Sequence, residues 1–114
     1  MHARQDQPEW VTLDSGASIL VRGIHSDTAA KAVKQLPRSV RRTMIGQGQW
    51  TDRTWRHFCD YLADAVLLGW QGIAEDGQPL AFSRETARRV LAENYTFTWT
   101  VLEAARGDLE AAHA

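Results

Sequence analysis

Residues 52–69 read DRTWRHFCDYLADAVLLG, and their apolar side chains recur every three or four positions. The recurring residues are Trp55, Phe58, Cys59, Leu62, Val66 and Leu67. This spacing puts one apolar stripe along an α-helix. The segment therefore predicts the central helix of the fold, with its stripe in the core and Asp52 as the cap of its first turn.

Upstream of this segment, two β-favouring runs predict a hairpin over residues 9–22. The runs cover residues 10–13 and 17–21, and the Asp-Ser-Gly sequence at residues 14–16 suits a tight reversal between them. Two strands alone are marginally stable in water, so we expect the apolar face of the hairpin to pack on helices. Residues 1–8 are predicted to form a flexible tail.

A helix is predicted next, over residues 28–36. Ser26 or Asp27 offers a side-chain oxygen to the free amides of its first turn. Pro37 ends or restarts this helix, because proline lacks the backbone N–H that a helix interior needs. Residues 38–49 show no clear pattern and stay unassigned.

Two further helices are predicted in the C-terminal third of the chain. Ser83 is a good cap for the first, at residues 84–94. In residues 95–101, apolar side chains alternate with threonine as in a half-buried strand, but the same run also fits one face of a helix. The helix-favouring residues that follow decide for a helix over residues 96–112, which Gly107 weakens or breaks.

These elements predict a single domain over residues 1–114 with a mainly α (α+β) fold. In it, the N-terminal β-hairpin packs on a small bundle of about four helices within residues 27–112. A chain with 44% hydrophobic and 24% charged residues is ordinary for one soluble globular domain. The longest run without charged or strongly polar side chains, residues 65–70, is far shorter than the ~20 residues that span a bilayer. No membrane contact is expected.

The charges are divided unequally along the chain. Residues 1–57 carry nine basic and five acidic side chains, whereas residues 58–114 carry four basic and nine acidic side chains. Opposite potentials can orient copies of a molecule head to tail, so a homo-oligomer is one interpretation. The other is pairing of the opposite charges within one fold, since halves of a sequence need not be halves of a structure.

Most of the basic side chains form a series within residues 31–56. The series comprises Lys31, Lys34, Arg38, Arg41, Arg42, Arg53 and Arg56. Its spacing could follow a phosphate backbone, and a small DNA-binding regulator is therefore an alternative function. The net charge of −1 and the lack of a recognisable reading-helix motif favour a solvated basic face. Nucleic acid is thus not the expected partner.

No arrangement in the sequence is typical of an active site or a metal site. His25, Ser26 and Asp27 are the residue types of a hydrolase triad, but consecutive side chains cannot converge on one proton path. On a helix, His57 and Cys59 point about 200° apart, which excludes a shared thiolate–imidazole pair. Cys59 is expected to be a small core residue. We therefore predict no enzyme activity, no catalytic residue, no cofactor and no metal.

Five tryptophans are many for 114 residues. A core of this size has difficulty enclosing five indoles, and tryptophan is enriched where proteins meet. We therefore expect one or two of them to be exposed for contact. The residues predicted to bind a partner are Trp50, Trp99, Leu102 and Leu109.

Residues 66–85, VLLGWQGIAEDGQPLAFSRE, carry a recognisable order of residues. In this order, a helix ends in a tryptophan. A glycine and then an Asp-Gly turn follow it, and the pairs Pro-Leu and Phe-Ser lead into another helix. This segment resembles one that is common in small tail assembly chaperones of long-tailed bacteriophages. The matching residues are Trp70, Gly72, Asp76, Gly77, Pro79, Leu80, Phe82, Ser83 and Glu85. In this arrangement, the turn centred on Gly77 joins two packed helices.

The resemblance implies a non-catalytic chaperone made in the cytoplasm of the bacterial host. Such a protein binds tail tube subunits and/or the tape measure protein during tail morphogenesis and is absent from the mature virion. Two alternatives stay open. One is a structural virion protein of the tail or the head–tail connector, and the other is the small DNA-binding regulator described above.

Overall fold

Three antiparallel strands and five α-helices form the fold of residues 7–107, the part of the chain that the computed structural model describes. The strands of the sheet are β1 (Glu9–Thr12), β2 (Ser18–Val21) and β3 (Leu67–Gln71), in that order. The helices are α1 (Asp27–Lys34), α2 (Arg38–Met44), α3 (Asp52–Tyr61), α4 (Arg84–Glu93) and α5 (Tyr95–Arg106). A π-helical turn, Leu62–Val66, follows α3, and β4 (Ala74–Glu75) and β5 (Gln78–Pro79) form a second hairpin. The predicted mainly α (α+β) fold is confirmed.

The N-terminal hairpin forms within the predicted residues. β1 and β2 pair with Val11 opposite Ile19 and with Trp10 opposite Leu20. Because side chains alternate between the faces of a strand, Val11, Ile19 and Val21 face the core and are buried, whereas Trp10 lies on the outer face. The inner face of β2 packs on α5, as expected for a hairpin that is marginal by itself.

The prediction of one continuous helix over residues 52–69 is wrong. The α-helix ends at Tyr61, the chain continues through the π-helical turn, and the last residues form β3, which pairs with β2. In this pairing, Gly69 lies opposite Leu20. Short apolar runs fit a buried strand as well as a helix. Pairing with β2 decides between them, because it adds the third strand that a marginal hairpin needs.

Arg22 supplies the hydrogen bonds that end the helical path. Its backbone N–H donates to the carbonyl oxygen of Val66 at 2.8 Å, and its Nη1 donates to the carbonyl oxygen of Ala65 at 3.1 Å. Both carbonyls belong to the last turn, where intrahelical donors are missing. Arg22, directly after the hairpin, thus provides hydrogen-bond donors for the last carbonyl groups of the π-helical turn. The chain can then continue in the extended conformation of β3.

The cap of α3 also differs from the prediction, because Thr51 takes the place expected for Asp52. The Oγ1 of Thr51 accepts a hydrogen bond from the backbone N–H of Thr54 at 3.1 Å. In return, the Oγ1 of Thr54 accepts one from the backbone N–H of Thr51 at 2.8 Å. This reciprocal capping box leaves Asp52 in the first turn, where its negative charge faces the positive end of the helix.

The turn centred on Gly77 does not join two helices, so the predicted helix–turn–helix arrangement is wrong. It closes the hairpin of β4 and β5, which lies between β3 and α4. Asp76 and Gly77 have φ values of 54° and 79°. A type I′ turn requires positive φ at both of its central residues, which explains the Asp-Gly sequence. Trp70 accordingly lies on a strand and does not end a helix.

The predicted starts of the other helices are confirmed. The Oγ of Ser26 accepts from the backbone N–H of Ala29 at 3.2 Å and caps α1. The Oγ of Ser83 accepts from the backbone N–H of Thr86 at 3.0 Å and caps α4. α2 follows Pro37 and occupies the segment that the sequence left unassigned. Proline is tolerated there because the amides ahead of the first turn have no intrahelical acceptor.

The ambiguous run in the C-terminal third is helical and belongs to α5. Thr98 is fully buried there, and its Oγ1 donates to the carbonyl oxygen of Leu91 at 2.6 Å. Gly107 has a φ of 83° and ends the helix in a left-handed cap. Residues 108–112 of the predicted helix lie outside the described residues, as do residues 1–6 of the predicted tail.

The core lies between the inner face of the sheet and the helices. Its largest fully buried apolar side chains are Phe58, Ile19, Leu62, Leu67, Leu91, Val40, Val66 and Val101. Cys59 is buried among them, as predicted. Full burial of one such large apolar side chain contributes about 1.5–3 kcal/mol, so this cluster holds the sheet against the helices.

Replacing Gly77 with alanine should lower the free energy of unfolding by about 1 kcal/mol, because residues with a Cβ resist a left-handed φ. No atom would lie within 4 Å of the added Cβ, so crowding does not contribute. Gly77→Asn is the matched control. Its free energy of unfolding should fall less, since asparagine tolerates a left-handed φ better than alanine does. Urea unfolding followed by circular dichroism measures both variants. Equal losses, or no loss, would contradict the type I′ turn.

Candidate functional site

Four aromatic side chains from three parts of the chain form one exposed cluster, which we call the aromatic patch. Trp50 precedes α3, Trp55 lies in its first turns, and Tyr95 and Trp99 lie on α5. The ring centroids of Trp55 lie 5.4 Å from Trp50, 4.7 Å from Tyr95 and 5.8 Å from Trp99. Trp50 is 39% exposed, Trp99 38% and Tyr95 67%. The patch therefore presents a large aromatic surface to solvent.

Local sequence explains how these rings come together. The capping box at Thr51 sets where α3 begins, and so it fixes Trp50 just before the helix and Trp55 inside it. Tyr95 and Trp99 are four residues apart on α5, which places them on one helical face. Packing of α3, α4 and α5 then brings the two pairs into contact.

The rings are held from below by the core. Phe58 is buried, and its ring centroid lies 5.2 Å from that of Trp50 and 5.8 Å from that of Trp99. The Nε1 of Trp55 donates to the carbonyl oxygen of Ala92 at 3.1 Å and ties α3 to the end of α4. Rings that are already ordered lose little side-chain entropy when a partner covers them.

The structure places the residues predicted to bind a partner in three different ways. Trp50 and Trp99 are exposed and lie 6.0 Å apart between ring centroids. Leu102 is half-buried and packs against the core, so it offers little free surface. Leu109 lies outside the described residues. Their role in binding stays a prediction.

Sequence reasoning missed two members of the aromatic patch. The sequence pattern places Trp55 in the core stripe of its helix, and Tyr95 begins the run that fits either a strand or a helix. The spacing of Tyr95 and Trp99 would have identified a shared face once the helix was known. Trp10 on the sheet is also exposed, at 47%, so three tryptophans are more than a third exposed. Which of them contact a partner stays a prediction.

The segment that resembles tail chaperones forms a packed structural unit next to the sheet. Trp70 is buried, and its Nε1 donates to the carbonyl oxygen of Leu80 at 2.7 Å. The ring of Phe82 meets that of Trp70 edge-on at 4.9 Å. Gly72 has a φ of 79° and passes close to Ala17, where an added Cβ would lie 3.3 Å from the Cα of Ala17. Trp70 thus anchors the β4–β5 hairpin to the body of the protein.

The other residues of this segment lie at the surface. They are Asp76, Gly77, Pro79, Ser83 and Glu85. Asp76 and Gly77 form the tip of the hairpin, Ser83 caps α4, and Glu85 lies in the first turn of that helix. The turn, the cap and the helix end explain the residue types at Asp76, Gly77, Ser83 and Glu85.

Several ion pairs join side chains within the acidic part of the chain. Arg88 contacts Asp64 at 2.8 Å and Asp60 at 3.7 Å, which joins α4 to α3 and the π-helical turn. Arg89 binds Glu75 through two hydrogen bonds of 2.8 and 2.9 Å. The Arg89 guanidinium thereby lowers the pKa of the Glu75 carboxyl. The side chains of the basic series form no ion pair within the described residues.

Two buried groups have strongly raised pKa values. Burial raises the pKa of the Cys59 thiol to about 12, and the negative charge of Asp60 acts in the same direction. Burial alone raises the pKa of the Tyr61 hydroxyl to about 12. That hydroxyl has no hydrogen-bond partner among the described residues. Both groups are therefore protonated at neutral pH and serve as packing groups.

The residue types considered for catalysis do not converge in the described structure. Ser26 is buried as the cap of α1, whereas His25 next to it is exposed. Residues 7–107 contain no group of three or more side chains placed to bind a metal ion. No helix within these residues is long and apolar enough to cross a bilayer.

Comparison with known protein families gives a match over most of the chain. A family model described as YdaY prophage protein matches residues 24–112, more than three quarters of the 114-residue chain. The match begins just before α1 and includes every helix of the fold, the aromatic patch and the segment around Gly77. No curated protein and no solved structure gives a significant match.

Stability should fall as the pH rises from 9 toward 12, because Cys59 and Tyr61 keep their protons in the fold. Their ordinary pKa values are 9.0 and 10.0, and both are about 12 in the folded protein. The unfolded chain therefore releases these protons first, and the stabilisation present below pH 9 is lost toward pH 12. Cys59→Ala should flatten the decline, as urea unfolding across this range would measure. An unchanged slope would contradict the raised thiol pKa.

Proposed function

We propose a role in phage tail assembly for this chain, which belongs to the YdaY prophage protein family. The protein is therefore phage-related. In the proposed role, it is a non-catalytic chaperone that binds tail tube subunits and/or the tape measure protein during tail morphogenesis. It acts in the cytoplasm of the bacterial host and leaves before the virion is complete.

The single observation that carries this proposal is the aromatic patch. Tryptophan and tyrosine dominate the binding energy of many protein interfaces, since they bury a large apolar area with few rotatable bonds. Trp50 and Trp99 are each more than a third exposed although the core beneath them holds their rings in place. An exposed and preorganised aromatic cluster is suited to covering apolar surfaces of unassembled subunits.

The resemblance of residues 66–85 to tail assembly chaperones supports the finer assignment. In this fold the segment is a strand, a type I′ hairpin and a helix start, and Trp70 attaches the hairpin to the core. The segment supports the role through its order of residues, whereas the aromatic patch supplies the contact surface. The two features lie at different places in the chain and favour the same class of function.

Binding to tail proteins of the same prophage tests the proposal directly. The purified chain is mixed with the tail tube protein and, separately, with a soluble segment of the tape measure protein, and affinities are measured by isothermal titration calorimetry. Trp50→Ala and Trp99→Ala should each weaken binding about tenfold or more, as expected for central interface tryptophans. Circular dichroism verifies that the variants are folded.

Trp10→Ala is the matched control, because Trp10 is exposed to a similar degree but lies on the outer face of the sheet. It should leave the affinity within about twofold of the unchanged protein, as for a residue outside the interface. Equal losses for Trp10 and Trp50 variants, or no binding to either tail protein, would contradict the proposal. Detection of the chain in purified virions would instead favour a structural virion protein.

A further inference from the structure

A second apolar surface lies at the C-terminal end of α2. Ile45 follows this helix directly and is 69% exposed. It borders a shallow groove of about 330 Å³. The lining residues are Val33, Arg38, Arg41, Arg42, Met44 and Ile45. None of them belongs to the aromatic patch, so this arginine-flanked groove is a separate surface.

Backbone hydrogen bonds hold Ile45 in its exposed position. The N–H of Gly46 donates to the carbonyl oxygen of Thr43 at 3.0 Å, and the N–H of Gln47 donates to that of Arg42 at 2.8 Å. With Gly46 at a φ of 82°, these two bonds form a Schellman motif. The exposed isoleucine therefore sits on an ordered helix end, and its exposure is a property of the fold.

Positively charged side chains lie at and near the groove. The side chains of Arg38, Arg41 and Arg42 form no ion pair within residues 7–107, and neither do Lys31 and Lys34 on α1. α2 also has no acidic residue in its first turn.

The positive surface continues from α2 onto α3. Arg42 also lines a neighbouring cavity of about 430 Å³, together with Arg53 and His57 of α3. Positive charge thus extends from the groove across both helices. Like charges held close together repel, and an anionic partner would relieve this repulsion.

We infer that the arginine-flanked groove binds an acidic amphipathic helix of a partner protein. An apolar side chain of that helix would cover Ile45, Met44 and Val33, and flanking carboxylates would pair with the guanidinium groups of Arg38, Arg41 and Arg42. Arginine binds carboxylates through two parallel hydrogen bonds, and helix-in-groove recognition uses apolar anchors at helical spacing. A phosphate backbone would use the charges but would leave the exposed isoleucine uncovered.

The test uses a fluorescein-labelled synthetic helix of about 18 residues, roughly five turns, with leucines on one face and glutamates on both flanks. Binding to the full chain is measured by fluorescence anisotropy. Ile45→Ala should weaken binding about fivefold through lost apolar contact. Arg41→Gln combined with Arg42→Gln should weaken it roughly five- to tenfold, and added salt should weaken it further. A peptide with glutamine in place of glutamate should bind at least about fivefold more weakly.

Arg84→Gln is the matched control, since it removes one positive charge from α4, outside the groove. It should leave peptide binding unchanged. Ile45, Arg41 and Arg42 are exposed, so their variants should fold, and circular dichroism verifies this. If the double variant does not fold, Ile45→Ala and the salt titration of the unchanged chain decide the question.

Three results would overturn the inference. They are no binding of the acidic peptide at millimolar concentration, equal effects of Arg84→Gln and the groove variants, and binding that Ile45→Ala does not change. A DNA oligonucleotide that binds more tightly than the peptide, with no sensitivity to Ile45→Ala, would identify a nucleic-acid surface in its place. The aromatic patch is not altered in any of these variants, so the proposed chaperone role is tested separately.

Discussion

Backbone hydrogen bonds between β2 and β3 tie the N-terminal hairpin to the middle of the chain, and the rest of the structure depends on this pairing. It places Trp70 on the inner face of the sheet, opposite Ile19. Trp70 then holds the β4–β5 hairpin through the carbonyl oxygen of Leu80, and this hairpin leads to the start of α4. The end of α4 provides the carbonyl oxygen of Ala92 that fixes Trp55. The aromatic patch is thus connected to the sheet through a series of specific contacts.

The connection between α2 and α3 carries one exposed residue of each proposed binding surface. Ile45 lies at its start, held by the Schellman motif, and Trp50 lies at its end, next to the capping box of Thr51. Because backbone hydrogen bonds fix the first end and the capping box fixes the second, two apolar side chains are exposed on ordered structure. Exposure on ordered structure lowers the entropy cost of binding, which is why both residues are better candidates for contact than side chains on a loose loop.

The distribution of charge in the fold could not be read from the sequence. Arg84, Arg88 and Arg89 pair with acids of the same half of the chain, so part of the acidic half neutralises itself. The basic series is left without ion pairs among the described residues. Pairing of exposed charges contributes little energy and does not direct the fold, so packing of the helices decides which charges meet. Only the coordinates therefore distinguish the compensated arginines from the uncompensated ones.

Short-range features of this protein were determined by its sequence alone. Ser26 and Ser83 cap helices because a hydroxyl reaches an amide three residues on, and Asp76-Gly77 makes a turn because of its own backbone preferences. The tertiary structure alone decided that residues 67–71 form a strand and that Trp55, Tyr95 and Ile45 contribute to exposed surfaces. The pattern of a short apolar run fits a helix and a buried strand equally well, so the element that it packs against or pairs with decides its conformation. Exposure likewise depends on what packs above a side chain, which residues distant in the chain determine.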